Sequence, residues 1–209
     1  MSDYILYASP NTYAMSAHAI LEEINADYEV EWIEIFTLNP DINFQKISPH
    51  CRTPALMTPD GGIFETGAIA MYLGEKFPKF NLIIDPDDPR RGKFLQWFYY
   101  LGSTLQPDVM IQFHPEFYIS NEKDIPAFQK ASRERLSHVL NVLDQALENG
   151  PFFFGEQITI LDFLLSMQTI WKEIFPSNIS DFKNLKRNLD VIQEKPAVKQ
   201  ILKYHLQSR

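Results

Sequence analysis

Hydrophobic and polar positions along the chain change period several times, and those changes divide it. Tyr4–Ala8 is a short apolar run closed by Ser9-Pro10-Asn11, the pattern of a buried strand entering a loop. Over residues 12–25 apolar positions recur at helical spacing, with Met15, Ala19 and Ile24 turned inward and Glu22-Glu23 left for solvent. Residues 28–36 alternate instead, Tyr28, Val30 and Trp32, then Ile33 and Ile35, set against Glu29, Glu31 and Glu34, a strand with one wet face. Strand, helix and strand in such close succession predict a right-handed crossover between parallel strands. A short helix or loop at 41–48 and an apolar piece at 54–57 follow, then Pro59-Asp60-Gly61-Gly62, a tight-turn signal that makes the flanking strands antiparallel neighbours. A helix over 66–77 ends before Pro78, and the Asp- and Pro-rich stretch 81–89 reads as a linker.

Beyond the linker every pattern is helical. Residues 90–113 are rich in aromatics, with Pro107 as a kink. Residues 126–149 carry a stripe of Leu136, Val139, Leu140, Leu143 and Leu147, stopped by Gly150-Pro151. Residues 161–174 are apolar on nearly every face, which predicts a central helix. Two more helices follow, broken at Lys195-Pro196. The order is therefore β-α-β-α-β-β-α over residues 1–80, the thioredoxin-like order, then a linker at 81–89 and an all-helical domain at 90–209. The central helix opens on Thr159-Ile160-Leu161-Asp162. Thr159 is a good N-cap, Asp162 three residues on can reach back to its N–H, and Ile158 and Phe163 sit at staple positions. We read these residues as a structural cap, not as chemistry.

Charge and cysteine content narrow the function classes. The formal charge of −8 argues against a nucleic-acid partner, which needs a basic face. Residues 1–80 hold 4 basic and 11 acidic side chains, so most of the excess lies in the first half. A single cysteine, Cys51, excludes an intramolecular disulfide, a redox CxxC pair and a cysteine-rich zinc site. The beginning of the sequence carries no secretory pattern, and no run approaches a membrane span, so the expectation is a cytoplasmic protein that does not enter membranes.

Three segments in order, Tyr7-Ala8-Ser9-Pro10-Asn11, then Ser48 to Leu56 with Phe64-Glu65-Thr66-Gly67, then Gly155 to Asp162, resemble the cytosolic glutathione transferase superfamily over essentially the whole chain. The resemblance is to bacterial members of the beta and nu classes. It implies glutathione as co-substrate, no metal, and thiolate activation for conjugation to an electrophile or for disulfide or peroxide reduction. It also implies a cis Thr53-Pro54 bond that exposes the main chain of Thr53 to the cysteinyl part of glutathione, like an added strand. Glu65 and Thr66 match the family's Glu-Ser pair. Thr66, opening a helix, would hold the γ-glutamyl carboxylate, and Glu65 the ammonium. Arg52 either meets the glycyl carboxylate or is a solvated surface arginine.

The thiol-activating donor is left open among Ser9, Tyr13 and Asn11, in that order. Aligned on the beta class, that class's catalytic cysteine falls at Tyr13, its helical-domain histidine at Gln106 and its sulfur-side asparagine at Tyr99. Aligned on the nu-class loop, Ser9 replaces a threonine and Asn11 keeps the asparagine. Tyr7 is expected in the core by strand alternation, His18 to be a packed polar residue, and Cys51 to be incidental. Tyr99, Gln106, Met110 and Phe113 would line a site for a small apolar electrophile between the domains, or else are core. The family also implies a homodimer. The alternative to an enzyme is a non-catalytic binding or interaction protein of the same fold.

Overall fold

The computed structural model describes residues 2–35, 37 and 42–206. Contacts divide the chain into two compact units, Met1–Ile83 with Gln193–Arg209, and Ile84–Ile192. The C-terminal segment thus groups with the first unit, whereas the sequence pattern had placed all of 90–209 in one helical domain.

The first unit is built on a four-stranded sheet of β1 (Tyr4–Ala8), β2 (Tyr28–Trp32), β3 (Ala55–Thr58) and β4 (Gly61–Phe64), in the order β2-β1-β3-β4. β1 and β2 are parallel, joined by α1 (Ala14–Glu23), while β3 runs antiparallel to both β1 and β4. Each face of the sheet is covered. Tyr7 and Ala55 pack with Phe44 of α2 (Ile42–Ile47), and Ile5, Ile47 and Met57 extend that cluster. Strand alternation turns Leu6 and Leu56, both without solvent exposure, to the opposite side. There α1 packs on α3 (Thr66–Lys76) and on the C-terminal helix α9 (Pro196–Leu206).

Tyr7 is a core residue as alternation predicted, its ring 5.6 Å from that of Phe44. The Pro59-Asp60 turn is closed by Thr58, whose hydroxyl donates to the Gly61 carbonyl at 2.8 Å, and Gly61 supplies φ +121°. The second strand ends at Trp32, short of the expected 28–36; part of the remainder, Phe36, lies outside the described residues. Glu22 and Glu23 are half-buried, not solvated. Glu22 accepts a hydrogen bond from the Tyr28 hydroxyl, and Glu23 pairs with Lys195 at 2.8 Å, where the chain turns into α9.

The second unit contains α4 (Arg91–Tyr100), α5 (Gln106–Phe113), α6 (Ile125–Ala146), α7 (Ile160–Thr169) and α8 (Lys183–Glu194). The boundary between the two units falls inside the stretch 81–89, where Leu82 and Ile84 are each only 1 % exposed. The kink expected at Pro107 is a five-residue π segment, Leu101–Leu105, between α4 and α5. Pro107 follows directly at the start of α5, and the wider π turn falls on the preceding turn, whose carbonyls face its ring and lack its N–H.

All ten residues of α7 are buried, and its start is organised by Asp162. That carboxylate accepts from the N–H of Phe153 (3.1 Å) and of Thr159 (2.8 Å), from the Thr159 hydroxyl and from the Asn188 amide of α8. The capping box is present as expected, extended by two partners far along the chain. Burial pushes the Asp162 pKa up to about 7 against the pull of these donors.

Candidate active site

Strand register decides which of the expected residues meet. Tyr7 of β1 lies opposite Ala55 of β3, and Ala55 lies opposite Phe64 of β4. Following the antiparallel pairing off the strand ends, Ser9, Thr53-Pro54 and Glu65-Thr66 all emerge at one end of three adjacent strands. The peptide bond between Thr53 and Pro54 is cis. Two loops and the start of α3 therefore converge on this edge.

The loop before Pro54 is tied by a single hydroxyl. Ser48 donates to the Arg52 carbonyl at 2.8 Å and accepts from the Arg52 N–H at 3.1 Å. That loop also holds Cys51 at φ +51°, half-buried against the Tyr7–Phe44 cluster, with no second cysteine in the sequence to pair with. The Arg52 residue is exposed, while Thr53 is half-buried and Pro54 buried. Glu65 is exposed and takes φ +74°, an uncommon conformation for a side chain with a Cβ. Thr66 follows as the first residue of α3 and is buried. The first amide N–H groups of a helix lack internal partners and carry its positive dipole end, so the Glu65-Thr66 step sets a carboxylate beside an anion-binding terminus.

On the other side of the edge, the β1–α1 turn holds Ser9 (8 % exposed), the exposed Pro10, and Asn11 at φ +54°. Tyr13 occupies the N-cap position of α1 and is buried, its hydroxyl oxygen shielded from solvent. Thr12, which sequence reasoning did not single out, connects this turn to the cis bond. Its hydroxyl donates to the Ser9 carbonyl at 2.7 Å and lies 3.3 Å from the Thr53 hydroxyl. It also accepts from the Ala14 N–H at 3.3 Å. A threonine just ahead of a helix is a capping signal in its own right, and that signal was available in the sequence.

Behind the turn sits a second feature that sequence reasoning missed. His18 of α1 and His205 of α9 are buried together, with Nδ1 of the first 3.1 Å from Nε2 of the second. Tyr28 meets the His18 ring edge-on and Tyr204 stacks on it, while Trp32 packs edge-on against both histidines. The Ser9 main chain lies close enough to favour protonated His205, although His205 Nδ1 has no hydrogen bond of normal geometry among the described residues. Burial lowers both pKa values, to about 3 for His18, where His205 adds to the effect, and to about 4 for His205. His18 is thus a packed polar residue as expected, but its partner is 187 positions away and no local pattern points to it.

The residues expected to contact a second substrate lie in the other unit. Tyr99 near the end of α4 is 65 % exposed. Gln106, Met110 and Phe113 are spaced to share one face of α5 and are all at least partly exposed, with Phe113 edge-on to Trp171 at 5.3 Å.

A thioredoxin-like sheet with a cis proline at its edge, in a chain that also has a helical unit, defines a class before any comparison is made. Family models for the glutathione S-transferase N-terminal and C-terminal domains match residues 2–75 and 108–205. The chain is 31% identical over 170 residues to the disulfide-bond oxidoreductase YfcG of Escherichia coli K12, covering 75% of this chain and 74% of that protein. It is 23% identical over 201 residues to glutathione S-transferase GstA of E. coli O157:H7, covering 94% and 96%. A glutathione transferase homologue from Sulfitobacter, solved with bound glutathione, superposes with a TM-score of 0.87 at 20% identity, over 98% of this chain and 99% of that one. The chain belongs to the cytosolic glutathione transferase superfamily. Among the described residues, no helix is long and apolar enough to cross a membrane.

Proposed function

We propose that this chain binds glutathione at the sheet edge of its first unit and activates the thiol for transfer to an electrophile or for glutathione-dependent reduction. The observation carrying this reading is the register that brings Ser9, Thr53-Pro54 and Glu65-Thr66 to the same end of β1, β3 and β4. Each part suits one part of the tripeptide. The Thr53 main chain can pair with the cysteinyl unit as an added strand would. The N-terminus of α3 with the Thr66 hydroxyl can take the γ-glutamyl carboxylate, and exposed Glu65 its ammonium. Arg52, exposed and next to Thr53, can meet the glycyl carboxylate.

Glutathione supplies the nucleophilic sulfur, and only its thiolate reacts. The chain must therefore supply a donor that favours the charged form. Ser9 fills that role in this reading, with Asn11 beside it. The enclosed Tyr13 hydroxyl speaks for a packing role at that position. A depression of ~2 pKa units corresponds to ~2.7 kcal/mol, within what a hydroxyl donor and a nearby helix start provide together. Tyr99, Gln106, Met110 and Phe113 are proposed to meet an apolar electrophile, and the family's homodimer is proposed for this chain.

Retention on immobilised glutathione, followed by turnover of a generic aromatic electrophile and of a glutathione mixed disulfide, tests the reading. Retention with either turnover supports it. Retention without turnover favours a binding protein of the same fold, and absence of retention removes the assignment of the site.

A further inference from the structure

The Thr12 hydroxyl is a saturated three-way junction. A threonine hydroxyl has one proton to give and two lone pairs to offer. The Ser9 carbonyl, 2.7 Å away, can only accept, so it takes the proton. The Ala14 N–H, at 3.3 Å, can only donate, so it takes one lone pair. The contact to the Thr53 hydroxyl at 3.3 Å is then decided as well: Thr53 donates and Thr12 accepts. One oxygen joins the turn that carries Ser9, the first turn of α1, and the residue whose main chain precedes Pro54.

We propose that Thr12 is a positioning residue for thiol activation, fixing the Ser9–Asn11 turn against Thr53 so that a donor on the turn meets a sulfur held by the strand. The inference deepens the glutathione reading and rests on it. The cysteinyl main chain would be held by Thr53 and the sulfur addressed by the Ser9 turn, two separate loops with 43 residues between them in sequence. Hydrogen-bond strength depends steeply on donor-acceptor distance and angle, so the registration of these loops sets how far the thiol pKa falls. Binding does not depend on it in the same way, since the clamp at Thr53 and Glu65-Thr66 is made without Thr12. Thr12 therefore belongs to the activation step and not to affinity.

The test is a set of three variants read by the ultraviolet absorbance of the glutathione thiolate in the binary complex, titrated against pH, beside glutathione affinity. Thr12→Val keeps the shape and removes the junction. Thr53→Val keeps the main chain, the Ser9 bond and the Ala14 bond, and removes only the bridge. Thr12→Ser restores the hydroxyl. Thr12→Val and Thr53→Val are expected to raise the bound-thiol pKa by about one unit, a loss of roughly tenfold in thiolate below that pKa. kcat falls with it, the glutathione KM changes far less, and Thr12→Ser keeps the wild-type titration. Should Thr12→Val fail to fold, Thr53→Val carries the test alone, because it leaves the helix cap intact. Wild-type thiol titrations in both valine variants would overturn the inference while leaving the glutathione site standing. A wild-type protein that binds no glutathione would overturn both.

Discussion

The buried histidine pair makes the first unit sensitive to acid, and the effect can be worked through. Both folded-state values, about 3 for His18 and about 4 for His205, lie below the ordinary histidine value of 6.5. Between these limits the unfolded chain binds protons that the folded chain refuses, so stability rises with pH there. The contribution is fully present above about pH 6.5 and is lost as pH falls toward the folded-state values. Each histidine changes stability by about 1.4 kcal/mol per pH unit within the window. At pH 5 the pair has cost about 4 kcal/mol, a large part of the roughly 5–15 kcal/mol that holds a typical domain together. The groups around the pair offer no relief. Tyr28 and Tyr204 face the rings, Tyr28 is itself bonded to Glu22, and Glu23 is taken by Lys195.

Asp162 in the second unit acts in the opposite sense. Its folded-state pKa is raised from 3.8 to about 7, so the folded chain takes the extra proton on acidification and gains stability over that range. Comparison with His18→Phe/His205→Phe removes this term. Replacing both rings together leaves neither histidine buried without the other, so the double variant should fold. Urea unfolding of wild type and double variant at pH 8 and pH 5, followed by a probe in the first unit, should give a stability difference that shifts against wild type by about 4 kcal/mol. Carbon chemical shifts of the two imidazoles in folded protein should show no titration above pH 5. A difference that stays flat with pH, or ring titrations near 6.5, would refute the reasoning.

Other expectations are simpler. Glu65→Ala should abolish retention on glutathione with an unchanged thermal midpoint, because Glu65 is exposed and its proposed ligand contact is electrostatic; normal retention would count against the site. Asp162→Ala strands donors from Phe153, Thr159 and Asn188 in a dry interior and should cost about 3 kcal/mol or more in chemical denaturation, with thiol activation intact in whatever protein folds. Gly150→Ala would set a Cβ 2.5 Å from the Gly155 carbonyl oxygen, so the turn from Gly150 to Gly155 must open; a loss of about 1–3 kcal/mol is expected in the same assay.

The fold was legible wherever a local pattern had only one physical outcome. Alternation at Tyr4–Ala8 faces Tyr7 and Leu6 oppositely in any sheet, and Pro59-Asp60-Gly61 forms a tight turn because Gly61 can take positive φ. The Thr159–Asp162 cap was legible for the same reason, since both of its reciprocal bonds lie within four residues. Errors arose where distant segments decide the outcome. Glu22 and Glu23 look solvated until Tyr28 and Lys195 arrive. The grouping of α9 with the first unit has no local signature either, because its inward residues Val198, Ile201 and His205 would suit any apolar face.

The site divides along the same line, and the division has a physical cause. The expected ligand contacts at Thr53, Pro54, Glu65 and Thr66 sit at strand ends and a helix start, where backbone geometry follows from neighbours in sequence. What sets the Ser9 turn does so only in part. Thr12 holds it locally through the Ser9 carbonyl but also ties it across the fold to Thr53, and His205 backs it from the far end of the chain. Binding a tripeptide needs a rigid edge, which local structure provides. Lowering the pKa of a thiol needs a donor held to a few tenths of an ångström, which requires bonds from more than one direction. In the proposed reading, the contacts that tune activation are therefore the ones least visible locally, the Thr12–Thr53 bond above all.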